Sequence, residues 1–451
     1  MILIRNGIIE KITYTPSNDD LAIYSKENED NIVIDCENKL VLPGIIDVHS
    51  HIRDLNQTRK ETFETGTQAA ASSGITTVFT MPNTDPPAID SRTIEKWMSK
   101  AKDHIRVNVG FIAGVPLGIN PEEMKKIIKQ GVIGFKIYPH SPLNELDWTN
   151  PINFQILLNY SSIYQFPIFI HPSWPIPTDV QKNVYKKYVL KGESLLDFHD
   201  ELNPSSAEVE YVKFVIKNYE DFIKKNNLKH QKYPIIHFCH VSSRETYTII
   251  QNIYKTKEYW KLTFEVTPHH LLLSKEITLK NPNFAKVLPP LRDSSHSNYL
   301  FSELKNEKIN IIATDHAPHT IQEKSQDFFS APSGFPGFET YPLLLLNKVV
   351  NYELSLENFV RVSSENPAKV FGLKNKGFIK EGYDADLYIV DKISEYSIKS
   401  VLFKTKAKFS PFENFKTKIQ IWKVFLKGKE LLKDLETEHS KPLGKIIRKI
   451  V

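Results

Sequence analysis

Eight short apolar, β-branched runs alternate along the middle of the chain with stretches that carry the periodicity of amphipathic helices. The runs are residues 45–49, 76–81, 106–112, 132–138, 166–171, 234–240, 262–266 and 309–315. Strands that alternate with helices form parallel sheets, because each helix returns the chain to the same edge. Eight such units are what a closed barrel requires. The alternation therefore predicts an α/β fold with a (β/α)8 TIM-like barrel.

The two ends of the chain have a different pattern. Residues 2–12 and 31–44 near the start, and 377–391 and 418–431 near the end, are short β-branched runs separated by turn residues. We expect a small, discontinuous β-sandwich domain formed by both termini. Its predicted boundaries are residues 1–42 and 370–451, around a barrel domain of residues 43–369.

Charge and cysteine content exclude several classes of protein. The formal net charge of +5 over 451 residues is too small to indicate binding to nucleic acid or to an anionic membrane. Cys36 and Cys239 are far apart, which excludes a disulfide scaffold and a thiolate zinc cluster and fits a reducing compartment. No apolar run approaches the roughly 18 residues that a spanning helix needs. We therefore expect a cytoplasmic protein.

Ionisable residues follow five of the eight predicted strands at the point where each strand ends. These residues are His49 and His51, Lys136, His171, His240 and Asp315. In a parallel barrel every strand end opens at one face, so residues far apart in sequence can converge there. Residues two apart on a strand share a side, so both imidazoles of the H-x-H pair can reach one metal ion. The pattern predicts a metal site at this face.

Several of these residues also have an ordinary structural interpretation. Lys136 lies between Phe135 and Ile137, and the residues alone favour a lysine whose amine reaches solvent at the strand end. His171 and His240 are single histidines of a kind that often pack in a core. Asp315 could cap a helix.

Asp315 also lies close to His316 and His319 in the segment ATDHAPHT. This concentration of titratable groups favours a carboxylate that acts as general base beside a metal-activated water.

Eight motifs occur along the chain, namely PGIIDVHSHIRD, MPNTDPP, FKIYP, HFCHVSSRE, EVTPHHLLLS, LPPLRD, ATDHAPHT and GFPGFET. In order and in spacing, these motifs together resemble the dihydroorotase branch of the amidohydrolase superfamily. The resemblance covers nearly the whole chain, from about Met1 to Gly428. The segments ENPAKVFGL and GFIKEGYDADLYIVD resemble the barrel exit and the returning β-sandwich of that superfamily.

The resemblance implies two Zn²⁺ per subunit, bridged by a carbamylated Lys136. One ion would be held by His49, His51 and Asp315, and the other by His171 and His240. A hydroxide shared by the two ions would be the nucleophile, and Asp315 would be the general base and acid. The implied reaction is the reversible hydrolysis of (S)-dihydroorotate to N-carbamoyl-L-aspartate, which runs towards ring closure in de novo pyrimidine (UMP) biosynthesis.

Recognition of the substrate carboxylate is implied for a separate set of residues. They are Arg53, Asn83 and His319, with Arg292 as a weaker candidate. The chain has 9 Arg and 49 Lys, so an arginine inside a motif is less readily explained by composition. A planar guanidinium suits a carboxylate. A structural salt bridge of Arg53 with Asp54 or Glu61 is the alternative. Residues 332–337 are expected to form a backbone wall over the ring.

One segment of the sequence departs from the family pattern. Residues 172–236 form a long interval that could be a lid or an interface, and PSW follows His171 where the family usually has Ala and an acidic residue.

A dihydropyrimidinase, hydantoinase or allantoinase would share the fold and the metals. A non-catalytic scaffold that binds aspartate transcarbamoylase would lack ligands, yet all six are present. We expect a homodimer or homotetramer, with aspartate transcarbamoylase as a possible partner.

Overall fold

The computed structural model describes residues 1–14, 32–191, 194–433, 436–437 and 442–449. Its chain begins with an antiparallel pair, β1 (Ile2–Arg5) and β2 (Ile8–Ile12), and continues through β3 (Leu40–Pro43) into the barrel. None of the helices described is long and apolar enough to cross a membrane.

Eight parallel strands of the described chain follow one another around a barrel in sequence order. They are β4 (Ile45–Ser50), β5 (Ile75–Thr80), β6 (Asn108–Gly114), β7 (Gly134–Ile137), β8 (Pro167–Ile170), β9 (Ile235–Phe238), β10 (Leu262–Val266) and β11 (Ile311–Ile312). The last strand meets the first through a bridge between Ser50 and His316, and His51 N donates to His316 O over 2.7 Å. The predicted α/β barrel is confirmed, with each strand inside or overlapping a predicted run.

Helices cover the outside of the barrel. The α-helices described are Phe63–Ser72, Ser91–Ala101, Pro121–Lys129, Pro151–Tyr164, Thr178–Lys191, Leu195–Leu202, Ser205–Lys225, Arg244–Thr256, Pro268–Leu272, Ser294–Lys305, Ile321–Lys324, Tyr341–Val350, Leu356–Val360 and Asn366–Phe371. Short 3-10 turns lie at Leu55–Gln57, Leu117–Ile119, His230–Lys232, Pro282–Ala285 and Ser400–Leu402, and a π turn lies at Arg361–Glu365.

Local sequence explains where many helices begin. Asp90 accepts a hydrogen bond from Thr93 N (2.8 Å) at the start of Ser91–Ala101. Asn120 caps the next helix in the same way, with Pro121 at its first position, where a missing N–H costs nothing. The caps fix where each helix begins, and the apolar positions of the helix are the ones that are buried.

The two termini form antiparallel sheets that pack together beside the barrel. One contains β12 (Leu387–Ser397), β13 (Lys416–Leu426), β14 (Lys429–Lys433) and β15 (Glu436–Thr437) in the order β15-β14-β13-β12-β3. Ile9 of the β1–β2 pair packs on Leu387, Ile389 and Phe425 of this sheet. The predicted β-sandwich from both ends is therefore present.

The last strand described lies outside that sandwich. β16 (Ile446–Ile447) pairs in parallel with β6 of the barrel, and Gly444 N donates to Ile105 O over 3.0 Å. Sequence analysis placed residues 370–451 wholly in the small domain, whereas this segment adds a strand to the barrel sheet. A two-residue strand carries too little pattern to show which sheet edge it joins.

Aromatic rings fill the interior of the barrel. Phe371, at the end of the helix Asn366–Phe371, stacks on Phe169 at 5.3 Å and meets Phe79 edge-on at 5.2 Å. The ring of His237 lies 5.2 Å from the same phenyl ring. Phe371 thus joins the chain that leaves the barrel to the core inside it.

Replacing Phe371 with Ala is expected to lower the free energy of unfolding by about 3–5 kcal/mol, because a large buried ring leaves a cavity that the core can only partly fill. Urea denaturation monitored by tryptophan fluorescence measures this loss. Tyr352→Ala, whose side chain is 95% exposed, is the control and should change stability by less than about 0.5 kcal/mol. Equal losses in the two variants would contradict the role of Phe371.

Candidate active site

The predicted ligands on β4 and after β11 meet at one end of the barrel. Asp315 Oδ1 lies 3.0 Å from His51 Nε2 and 3.3 Å from His49 Nε2. The ring of His240, which follows β9, lies 5.2 Å from that of His49 and 4.4 Å from that of His171. All five residues are buried. The barrel thus brings together five ionisable groups that span most of the sequence.

These groups fit a metal centre. The ligand atoms of His49, His51 and Asp315 all lie within 4.8 Å of one another. His171 Nε2 and His240 Nδ1 are buried, and no group in the described part of the chain forms a hydrogen bond with either atom. A buried polar atom without a partner is costly, and imidazole nitrogens with a carboxylate are a donor set that zinc prefers. The arrangement therefore suits divalent cations, as the strand ends predicted.

Burial and charge set the protonation of this cluster. Burial disfavours charge on His49, but the carboxylates of Glu265 and Asp315 outweigh it and raise the pKa of His49 to about 10. Burial lowers the pKa of His51 to about 4 and holds the pKa of His171 well below its usual value. Neutral imidazoles offer lone pairs to a cation, while His49 would release a proton when a metal binds.

Asp315 stays ionised in this surrounding. Burial opposes its negative charge, but His49 and His51 outweigh burial and hold the pKa of Asp315 below its usual range. The backbone of Asp315 has a φ of 49°. This left-handed geometry is uncommon for a residue with a side chain, and such strain is often found at functional sites.

Lys136 lies deep in the barrel and outside the lining of the cavity. Its side chain is buried, and its Nζ lies 2.9 Å from Cys239 Sγ and 5.0 Å from the centre of the Tyr138 ring. Within the described ranges it forms no ion pair with a carboxylate. The solvent-reaching lysine that the residues alone favoured is wrong. Burial of an ammonium without a carboxylate partner is expensive.

Two buried carboxylates behind the ligands were missed by sequence analysis. Glu265 accepts hydrogen bonds from His49 Nδ1, from His237 Nε2 (3.0 Å) and from His240 N (3.2 Å). Asp47 accepts from His49 N (3.3 Å) and from Thr314 N (3.0 Å). A carboxylate inside an apolar strand, as in LTFEV and IIDV, was the available signal, because burial of such a group demands partners.

A cavity of about 220 Å³ opens beside the ligands. Its lining residues are His49, His51, Arg53, Asn83, Tyr138, His140, Ser141, Leu143, His171, His240, Val287, Leu288, Asp315, Ala317, Ser333 and Gly334. Arg53 Nη2 lies 3.1 Å from His319 Nε2, and Asn83 Oδ1 lies 2.6 Å from His51 Nδ1. The residues expected to hold a carboxylate, Arg53, Asn83 and His319, are thus close together.

Among the residues that the structure describes, no carboxylate forms a salt bridge with the arginine of this cavity. Asp54 pairs instead with Lys100 at 2.8 Å, and the Glu61 carboxylate accepts from Thr405 Oγ1. Burial lowers the pKa of Arg53 to about 10, a value at which the guanidinium is still charged near neutrality. The alternative of a structural salt bridge with Asp54 or Glu61 is therefore not observed, and the cation faces the cavity.

Arg292 is not brought to this cavity. Its Nη1 donates to Asp200 Oδ1 and to Asn203 O, both at 2.6 Å, and its Nε donates to Ser242 Oγ at 3.0 Å. The expectation that Arg292 shares the substrate pocket is corrected. Because an arginine side chain is long, its partner can lie outside the pocket that its own motif lines. Only the fold shows that the partner, Asp200, lies in the helix Leu195–Leu202.

That helix belongs to the long interval of residues 172–236. His199 Nε2 lies 2.7 Å from Val287 O, and Val287 lines the cavity. The interval therefore supports one side of the cavity through His199. Its predicted role as a lid or an interface stays a prediction.

Tyr138 and His140 also line the cavity and were not recognised. The hydroxyl of Tyr138 and Nδ1 of His140 are buried, and neither has a hydrogen-bond partner within the described ranges. The ring of His140 lies 4.2 Å from that of His171, and burial lowers the pKa of His140 to about 4. Both follow Lys136 at the end of β7, which is the same signal that identified the other residues.

Two family models match the chain. The one described as Dihydro-orotase-like matches residues 38–136, and the one described as Amidohydrolase family matches residues 233–431. Together they cover every expected ligand except His171, which follows β8 between the two matched ranges.

The chain is similar over most of its length to proteins named dihydroorotase. It is 34% identical to that of Methanosphaera stadtmanae over 413 residues, which are 92% of this chain and 88% of that protein. It is 36% identical to that of Pyrococcus abyssi (91% and 88%). It is 33% identical to that of Acetivibrio thermocellus over 440 residues (96% and 94%).

The chain also resembles solved structures in fold. The L-hydantoinase (dihydropyrimidinase) from Arthrobacter aurescens superposes with a TM-score of 0.85 at 22% identity, over 99% of this chain and 95% of that one. The D-hydantoinase (dihydropyrimidinase) from Thermus sp. gives 0.83 at 23% identity, with the same coverage. At these identities the likeness concerns the fold alone.

Glu265→Gln is expected to weaken metal retention by about 10- to 100-fold, because an amide cannot polarise His49 as a carboxylate does. Metal content after dialysis against a competing chelator measures this. Glu276→Gln changes the same group at an exposed position and should retain metal like the parent. Unchanged retention in Glu265→Gln would contradict the supporting role of Glu265.

Proposed function

Because the chain belongs to the dihydroorotase family of amidohydrolases, we propose that it catalyses the reversible hydrolysis of (S)-dihydroorotate to N-carbamoyl-L-aspartate. This is a cyclic amidohydrolase reaction of de novo pyrimidine biosynthesis. The observation that carries the proposal is the unpaired guanidinium of Arg53 in the same cavity as the His and Asp cluster. Dihydroorotate has a carboxylate beside its cyclic amide, and the cavity has a group for each.

The carboxylate pocket is proposed from three side chains. Arg53 offers a planar pair of donors that matches a carboxylate. Asn83 directs its oxygen towards His51 Nδ1, which leaves its amide NH2 to donate to the substrate. Burial lowers the pKa of His319 to about 3, so it is neutral. Its Nε2 lies 3.1 Å from Arg53 Nη2 and 3.0 Å from Ser333 O, so His319 borders both the guanidinium and the backbone wall of the pocket.

The metal centre is proposed as two Zn²⁺. The residues that would hold the ions are His49, His51, Lys136 as its carbamate, His171, His240 and Asp315. When bound, the ions would supply a water-derived nucleophile at neutral pH and would polarise the scissile carbonyl. The burial of Lys136 without a carboxylate supports carbamylation, which replaces its positive charge by a negative one.

Proton transfer is assigned to Asp315. Its Oδ1 faces both His49 and His51, and the group stays ionised, so it can accept a proton from the attacking water. The same carboxyl group would then give that proton to the leaving amide nitrogen. Because Asn83 Oδ1 accepts a hydrogen bond from His51 Nδ1, the Nε2 lone pair of His51 faces Asp315 Oδ1, as expected of two ligands of one cation.

Assembly and location complete the proposal. We propose the domain boundaries 1–42 with 370–451 and 43–369, which the terminal sheets support except at β16. A homodimer or homotetramer, association with aspartate transcarbamoylase and a cytoplasmic location are proposed on the family resemblance. The two free cysteines fit a reducing compartment.

A dihydropyrimidinase, hydantoinase or allantoinase is the second candidate, because such an enzyme would share the barrel and the cluster of His and Asp ligands. A turnover assay separates the two candidates. Zinc-supplemented protein with bicarbonate would be given dihydroorotate, dihydrouracil, hydantoin and allantoin side by side. Selective opening of dihydroorotate supports the proposal, while activity on the uncharged rings alone overturns it. Protein that holds no metal and opens none of the four would support the scaffold interpretation.

Asp315→Asn is expected to retain bound metal and to lose nearly all turnover, because an amide cannot accept the proton of the attacking water. Turnover with dihydroorotate and metal content are measured on the same preparation. Parental turnover in this variant would remove Asp315 from its role as general base.

Arg53→Lys is expected to raise the Michaelis constant for dihydroorotate by about 10-fold or more with metal content unchanged, since a lysine cannot form the paired contact. Arg59→Lys is a matched control, because Arg59 is largely exposed and pairs with Glu323. An unchanged Michaelis constant in Arg53→Lys would rule out its contact with the carboxylate.

A further inference from the structure

One side of the cavity is backbone rather than side chain. Ser333 and Gly334 line it within the segment of residues 328–334. Gly334 has a φ of +122°, and a Cβ there would lie 2.8 Å from the Cβ and the O of Ala317. Only glycine allows this conformation and this close approach. The segment therefore rests directly on Ala317, two residues beyond the proposed general base.

A fully buried lysine holds this segment from behind. Lys324 Nζ donates to Pro332 O over 2.8 Å, to Gly334 O over 3.0 Å and to Lys286 O over 3.3 Å. Its side chain is 0% exposed. The three hydrogens of an ammonium match three carbonyl acceptors. Lys324 thus joins both ends of the turn that faces the cavity.

A second lysine holds the beginning of the same segment. Lys286 Nζ donates to Phe328 O and to Ala331 O, both at 2.6 Å. The carbonyl of Lys286 also accepts from Gly334 N over 2.9 Å. The two lysines are linked by a hydrogen bond from one to the backbone of the other, so they form one unit, which we call the lysine pair.

Neither lysine has an acidic partner. Throughout the residues described, no carboxylate lies within 4.0 Å of either amine. A surface lysine would pair with acids or solvent, and burial of an ammonium against carbonyls alone is expensive. Both amines therefore donate their hydrogen bonds to backbone carbonyls of one loop. Removal of either amine would leave buried carbonyls without a hydrogen bond.

We propose that Lys286 and Lys324 are positioning residues that hold residues 328–334 as the wall of the substrate cavity. The wall then determines how tightly the ring of the cyclic amide is bound, while the chemistry at Asp315 proceeds unaltered. This inference rests on the proposed function for the identity of the substrate, but the hold on the wall does not depend on it.

The test combines Lys324→Met with Gly334→Ala and with the double variant. Lys324→Met removes the amine but keeps the length of the side chain, and Gly334→Ala pushes the wall off Ala317. Each is expected to raise the Michaelis constant by about 10-fold or more, with kcat changed far less and metal content unchanged. Because both act on the same wall, the double variant should fall clearly short of the product of the two effects.

Hydrogen exchange gives a readout besides activity. A peptide covering residues 325–338 should exchange faster in Lys324→Met, with peptides from β4 and β9 unchanged. Lys280→Met removes the same charge at an exposed position outside the cavity lining and should match the parent in every measurement. Lys286→Met replaces Lys324→Met if that variant does not fold, with the same expectations.

The results that overturn the inference are specific. Unchanged exchange of residues 325–338, a loss confined to kcat, or strictly multiplicative effects in the double variant would each do so. Failure of the parent protein on dihydroorotate would instead contradict the proposed function. The exchange measurement and the Michaelis constant for whichever cyclic amide is opened would then decide the role of the lysine pair.

Discussion

The buried carboxylate of Glu265 is the interaction on which the site depends. It accepts hydrogen bonds from His49 Nδ1 on β4, from His237 Nε2 on β9 and from His240 N just after β9. Since Glu265 itself lies on β10, one side chain joins three barrel strands. The histidines outweigh the cost of burial and lower the pKa of Glu265 to about 2. Because the second nitrogen of His49 then faces Asp315, the geometry of the ligands follows from this contact.

Closure of the barrel and assembly of the site have a common origin. The strand β11 is short, and it meets β4 through Ser50 and His316. The Asp47 carboxylate reinforces this junction through Thr314 N, directly before Asp315. The contacts that close the barrel therefore also place the general base, so a change that opens this seam would disturb fold and chemistry together.

The cavity uses positive charge in two different ways. Arg53 is buried, pairs with no acid among the described residues, and faces the cavity. Lys286 and Lys324 are buried without acids as well, but their donors are directed at carbonyls of a loop. The small net charge of the chain, +5, does not show where these basic side chains are buried. Recognition thus depends on where single cations are buried rather than on the overall field.

The sequence by itself determined the barrel, the terminal sandwich and the convergence of His49, His51, His171, His240 and Asp315, because strand alternation and strand ends are properties of local pattern. Only the tertiary structure decided which buried groups are partners. Arg292 donates a hydrogen bond to Asp200, the Glu265 carboxylate accepts one from His49, and β16 pairs with β6 of the barrel. The partners of long side chains and short strands lie far away in the sequence. The local sequence pattern does not show which distant residues are close together in the folded chain.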